Sequence, residues 1–164
     1  MSKTELIDQL HHEHAHLTRL FAELSQTFRR VAASDVGDED CDDALATAAE
    51  DLGAALDEMM HHFSQEEEIL FVEIVARFPE LFKEIEGLER NHESIAGHAR
   101  SLLSLLGRGH QSFREDYDRA IQTLSSVSQE VTQHTLDEAK VYGDALKRLA
   151  PDERRAMLEQ LKQI

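Results

Sequence analysis

Two residue patterns that could hold a metal each occur twice in this chain. A lone histidine, His14, is followed by His62-Phe63-Ser64-Gln65-Glu66. A second, His92, is followed by His134-Thr135-Leu136-Asp137-Glu138. Residues four apart on a helix differ in direction by only about 40° and rise by about 6 Å, so the imidazole and carboxylate of each H-x-x-x-E pair share a face. Imidazole nitrogen combined with carboxylate oxygen suits iron, manganese or zinc, and the lack of thiolates disfavours softer metals. Two carboxylates, each able to bridge, favour a pair of ions over one. Each ion then receives two imidazoles, one from a lone histidine and one from an H-x-x-x-E pair. Two bridging carboxylates and a bridging oxo or hydroxo group raise this to about five ligands, leaving about one open position on an octahedral ion. On a redox metal such a position invites O2, NO or peroxide.

The elements that must position these residues repeat as well. With the lone histidines aligned, Leu10, Leu17, Leu24 and Phe28 fall on Leu88, Ile95, Leu102 and Leu106. With the H-x-x-x-E pairs aligned, Leu52, Ala55, Met59 and Ile69 fall on Leu124, Val127, Val131 and Val141. Six ligand-type side chains therefore lie on the apolar stripes of four helices. A single histidine on such a stripe is ordinarily a packed core residue. Glu66 and Glu138 resist that explanation, because a buried unpaired carboxylate is costly and no lysine or arginine shares their stripe. His11, His12, His16 and His61 fall off the stripe, at the surface or behind the ligands, while His98 and His110 have no counterpart in the repeat. Glu58 and Glu130 stand four residues before His62 and His134, in both halves. Two readings are open for them: acids that orient imidazoles or relay protons from behind the ligands, or glutamates on the rim.

The periodicity predicts an all-α chain with helices over about 3–31, 42–77, 80–106, 112–149 and 152–162. Ser2 and Thr4 are candidate N-caps, and Ala33 to Cys41 reads as a loop. Phe78-Pro79 ends the second helix, since the residue before a proline leaves the helical region. Gly87 is a candidate break in the third helix. Gly107-Arg108-Gly109 reads as a C-cap and turn. Leu158 and Leu161 of the last helix are expected to cover one end. Short connections make neighbours antiparallel, which implies an up-down-up-down four-helix bundle with a short C-terminal fifth helix, one domain over 1–164.

Composition narrows the function. A 164-residue domain buries about 70% of its unfolded surface, so a metal is not needed merely to fold it. A net charge of −16 speaks against nucleic acid or an anionic membrane as partner and enriches cations near the surface. No run of apolar residues is long enough for a membrane span, and no charged-then-apolar leader is present, so a cytoplasmic location is expected. Cys41 is the sole cysteine, which excludes an intrachain disulfide and a cysteine cluster. The acidic stretch from Asp38 to Asp43 lacks the glycine and the final glutamate of a calcium loop, and reads as a solvated loop leading into a helix.

Four segments of the chain resemble the motifs of the hemerythrin-like, HHE cation-binding family. They are Glu13-His14-Ala15-His16-Leu17, His61 through Phe71, Asn91-His92-Glu93-Ser94-Ile95, and His134 through Glu138. The resemblance spans nearly the whole chain. It implies a four-helix bundle around a non-haem di-iron centre with His14, His62, Glu66, His92, His134 and Glu138 as ligands, Glu66 and Glu138 bridging. Manganese or zinc would suit the same donors. Oxygen-carrying members have a fifth histidine four residues after the third-helix ligand; here that position is Ala96. The pattern is closer to the four-histidine, two-glutamate members linked to iron–sulfur repair and nitrosative stress. Those usually carry an additional N-terminal cysteine-bearing segment, whereas this chain begins at its first helix.

The expectation is a protein that binds, senses or detoxifies O2, NO or peroxide, or handles iron, with metal binding or sensing favoured over turnover and with no protein partner identified. The alternative is an iron donor for iron–sulfur centres. A ferritin-like site would want E-x-x-H pairs on two helices. Glu58-Met59-Met60-His61 fits that pattern, but Val131-Thr132-Gln133-His134 does not. A metal-free phosphotransfer or docking bundle would need an exposed acceptor, for which His98 is the candidate.

Overall fold

The computed structural model describes the backbone of residues 3–35 and 39–161, with side chains over 14–35 and 39–160. The protein is all-α, and among the described residues there is no strand. Four long helices dominate: α1 (Lys3–Ala33), α2 (Glu39–Gln65), α4 (Phe82–Leu106) and α6 (Tyr117–Arg148). Short elements join or extend them: a π-helix (Glu66–Phe71), α3 (Val72–Arg77), a 3-10 turn (Pro79–Leu81), α5 (His110–Glu115) and α7 (Pro151–Leu161). Helix α1 packs on α2 and α6, and α4 packs on the same two helices.

Several boundaries differ from expectation for local reasons. Helix α2 begins at Glu39, with Glu39, Asp40 and Asp42 in its first turn, where acids complement the positive end of the helix dipole. Cys41, expected in a loop, is therefore helical and buried in the core. Asp42 is not simply solvated, because its Oδ1 accepts from the His110 N–H at 2.9 Å and ties the start of α5 to α2. Helix α4 runs unbroken through Gly87. The expected fourth helix is divided at Asp116, which stands between α5 and α6 with φ −98°. Gly109 takes a φ of +82°, a conformation that suits glycine. In α7, Met157 is buried and Leu158 packs beside it against the core. The side chain of Leu161, like those of Leu10, His11 and His12 and the cap expected at Ser2, lies outside the described residues.

The largest departure is the π-helix. The span expected as one helix over 42–77 changes at Glu66 to a turn closed by i→i+5 bonds, which holds one residue more than an α-turn. The apolar stripe shifts accordingly: Leu70 and Phe71 are buried, while Ile69, expected on the core face, is 48% exposed.

The apolar core falls into two clusters. One includes Leu24, Phe28, Leu52, Met59, Phe63, Ile95, Leu102 and Val131. The other includes Leu70, Phe71, Leu88, Ala139, Val141, Tyr142 and Met157. Along the chain, four of the six ligand-type residues sit at the seam: Glu66 between Phe63 and Leu70, His92 between Leu88 and Ile95, His134 and Glu138 between Val131 and Val141. A polar layer thus interrupts the core.

Candidate metal centre

Each long helix contributes to this layer: His14 comes from α1, His62 from α2, His92 from α4, and His134 with Glu138 from α6, while Glu66 opens the π-helix. His14, Glu66, His92, His134 and Glu138 are buried, and His62 is nearly so. The H-x-x-x-E spacing works as helical geometry requires. His134 Nε2 lies 2.9 Å from Glu138 Oε1, and His62 Nε2 lies 3.6 Å from Glu66 Oε2. Across helices, Glu66 Oε2 is 3.3 Å from His92 Nε2, and His92 Nε2 is 3.2 Å from His134 Nε2.

Two groups of potential donor atoms result, each within a 4.8 Å span. One comprises Glu66, His92, His134 and Glu138; the other comprises His14, His62 and Glu138. Glu138 belongs to both, and Glu66 reaches from the first toward His62. The structure therefore brings all six sequence-selected residues together. It pairs the imidazoles as the repeat predicts, a lone histidine with an H-x-x-x-E histidine on each side.

The electrostatics prepare these groups for a cation. Burial, followed by the neighbouring imidazoles His62 and His134, pushes the pKa of His14 down to about 4. Burial, followed by His92, brings His134 down to about 4 as well. Both rings are thus neutral at neutral pH, with a lone pair available, which is the form a metal requires. Burial and then the Glu138 carboxylate raise the pKa of Glu66 above its ordinary value. His14 Nε2 and Glu66 Oε2 are buried without a hydrogen-bond partner. Buried polar atoms are normally satisfied, and nitrogen and oxygen donors converging without a lysine or arginine fit a divalent or trivalent cation.

Three side chains that the sequence reading did not select hold these groups in place. Thr135 Oγ1 donates to Val131 O at 2.9 Å, so at 2.9 Å from His14 Nδ1 it accepts from that ring's N–H. The lone pair of His14 is thereby assigned to Nε2. Glu67 Oε1 lies 2.6 Å from His92 Nδ1 and fixes that ring in the same sense. The Tyr142 hydroxyl donates to Glu66 Oε1 at 2.8 Å. Phe63 stacks on the His92 ring with centroids 3.7 Å apart and planes 9° apart, and Phe71 is stacked at 5.7 Å. A signal for these residues existed, because each lies beside a ligand or one turn from it.

The two acids expected behind the ligands diverge. Glu58 lines a cavity of about 230 Å³ together with His14, His16, Leu17, Ala55, Met59 and His62, so it overlooks the α1–α2 side of the site. Glu130 instead accepts from Ser94 Oγ at 2.7 Å and sits 2.7 Å from His98 Nδ1, so the imidazole it orients is not one of the six. His61 and His16 are exposed. His110 is structural: it is buried, with Nε2 at 3.1 Å from Val31 O.

Comparison with known proteins bears on the same residues. The family model described as the hemerythrin HHE cation-binding domain matches residues 5–163. No curated protein and no solved structure gives a match. Among the described residues, no helix is long and apolar enough to cross a membrane.

Proposed function

The chain belongs to the hemerythrin HHE cation-binding family, and from that membership we propose that it holds two iron ions and uses them on O2, NO or peroxide. The ions would be held by His14, His62, Glu66, His92, His134 and Glu138 within an up-down-up-down four-helix bundle. The observation that carries this reading is the division of buried donors into two groups that share Glu138 and are linked through Glu66. Two carboxylates placed between two pairs of imidazoles have the composition of a two-cation site, and either pair alone leaves an octahedral ion short of ligands. Bound iron would supply one-electron redox chemistry and open positions for a small ligand. The residues themselves keep two imidazoles neutral, fix ring orientation through Thr135 and Glu67, and cover the His92 ring with Phe63 and Phe71.

Binding or sensing is favoured over turnover, because the cluster offers metal donors and the groups around it are already committed to holding them. Manganese or zinc could occupy the same donors. A net charge of −16 supports a reading without nucleic acid or an anionic membrane, and we place its action in the cytoplasm. The test is metal analysis of anaerobically purified full chain, followed by Mössbauer and absorption spectra during titration with O2, NO and peroxide. The expected result is about two irons per chain and spectra that change on adding one of these ligands. A chain that takes up no iron, or one whose iron spectrum ignores O2, NO and peroxide alike, would overturn the proposal.

A further inference from the structure

We propose that Tyr142 is a positioning residue of the centre: its hydroxyl fixes the orientation in which the Glu66 carboxylate is presented to a cation. This inference rests on the metal-binding reading above and adds a residue to it. Tyr142 is fully buried, and its hydroxyl donates to Glu66 Oε1 at 2.8 Å. The opposite oxygen, Oε2, is the one 3.3 Å from His92 Nε2 and 3.6 Å from His62 Nε2. A carboxylate turns broadly about its last torsion and can accept on either oxygen. With Oε1 engaged by a buried phenol, that rotation is restrained. Glu66 is thereby held with Oε2 toward His92 and His62, an imidazole from each group.

The repeat shows that this phenol is more than filling. Tyr142 lies four residues after Glu138, and the matching position after Glu66 is Leu70, which is equally buried. A core place that an apolar side chain fills in one half is occupied in the other by a ring whose hydroxyl needs a partner. One partner, Glu66, lies across the core on the π-helix. Ring packing against Phe71, with centroids 6.5 Å apart, would survive loss of the hydroxyl, so Tyr142→Phe isolates the hydrogen bond.

The chain has two tyrosines and no tryptophan, so its near-ultraviolet absorption reports on Tyr117 and Tyr142. Zinc, which is colourless, serves as the probe on metal-stripped full chain. Zinc titration should perturb the tyrosine absorption of wild type and of Tyr117→Phe, and leave that of Tyr142→Phe unchanged. Zinc affinity, read by competition with a chromophoric chelator, should fall about 10- to 100-fold in Tyr142→Phe, the range typical for losing a group that orients a ligand, and stay constant in Tyr117→Phe. Equal zinc affinity in wild type and Tyr142→Phe would overturn the inference. So would zinc binding by Tyr117→Phe without any tyrosine perturbation, a measurement that does not depend on how the Tyr142 variant folds. Failure of wild type to bind zinc or iron would instead overturn the metal-binding reading beneath it.

Discussion

Stripped of metal, the chain should lose stability on acidification, and two buried imidazoles set how steeply. His14 and His134 are held down to about 4 from 6.5, in both cases chiefly by burial. Between those values the unfolded chain takes up protons that the folded chain refuses. The contribution of these two imidazoles is therefore undiminished above pH 6.5 and falls as the pH drops toward 4. For each imidazole the linkage relation integrates to about 2 kcal/mol between about pH 7 and about pH 5, or about 4 kcal/mol for the pair. Glu66 acts in the opposite sense. Its pKa is raised by burial and by Glu138, so the folded chain keeps a proton that the unfolded chain releases, and that contribution is lost as pH rises.

Comparing variants separates the imidazoles from Glu66 and from the surface acids. The assay is urea unfolding of metal-stripped wild type, His14→Gln, His134→Gln and the double variant, at about pH 7 and about pH 5. On acidification each single variant should lose about 2 kcal/mol less than wild type, and the double variant about 4 kcal/mol less. An acid-induced loss identical in wild type and the double variant would refute the argument that burial keeps these rings neutral in the folded chain.

The π-helix predicts an inversion of the usual apolar pattern. Leu70→Ala should cost about 2–5 kcal/mol, as truncation of a fully buried leucine does, whereas Ile69→Ala should stay within about 0.5 kcal/mol; chemical denaturation of both reads the register directly. The cavity beside His14 and His62 predicts a kinetic role for Glu58. Glu58→Gln should slow zinc uptake severalfold at low ionic strength without changing the amount bound, as loss of a steering charge would, and Glu130→Gln, which alters a carboxylate held by Ser94 and His98, should not; stopped-flow uptake distinguishes them.

How much was legible in the sequence depends on whether a feature followed the repeat. The six clustered residues were found because duplicated spacing singles out His14 and His92, His62 and His134, Glu66 and Glu138 from ten histidines and 33 acids. Helix class and most boundaries followed from apolar period and from Pro79, Gly107 and Gly109. The π-turn was not legible, because Ile69, Leu70 and Phe71 are all apolar and a pattern of apolar positions cannot tell which one turns inward. Cys41 reads as loop because acids dominate its neighbourhood. Those acids in fact begin a helix and fasten it to α5. The break at Asp116 falls among polar residues, where periodicity carries little information.

Thr135, Glu67 and Tyr142 were hidden for a different reason: a search for matching positions discards residues that do not match. Their counterparts across the two halves are Phe63, Ala139 and Leu70, none of which can make the same hydrogen bond. Yet these three hold His14, His92 and Glu66. The potential ligands therefore obey an approximate two-fold pattern while their supports do not. Near His92, Phe63 and Phe71 cover the ring, whereas His14 and His62 line a cavity. Two cations held by equivalent donor types would still meet different surroundings. Local rules are most often broken where a structure does chemistry, so the departures from the repeat carry the information that the repeat omits. The matching residues say what can be bound, and the unmatched ones say how each donor is aimed.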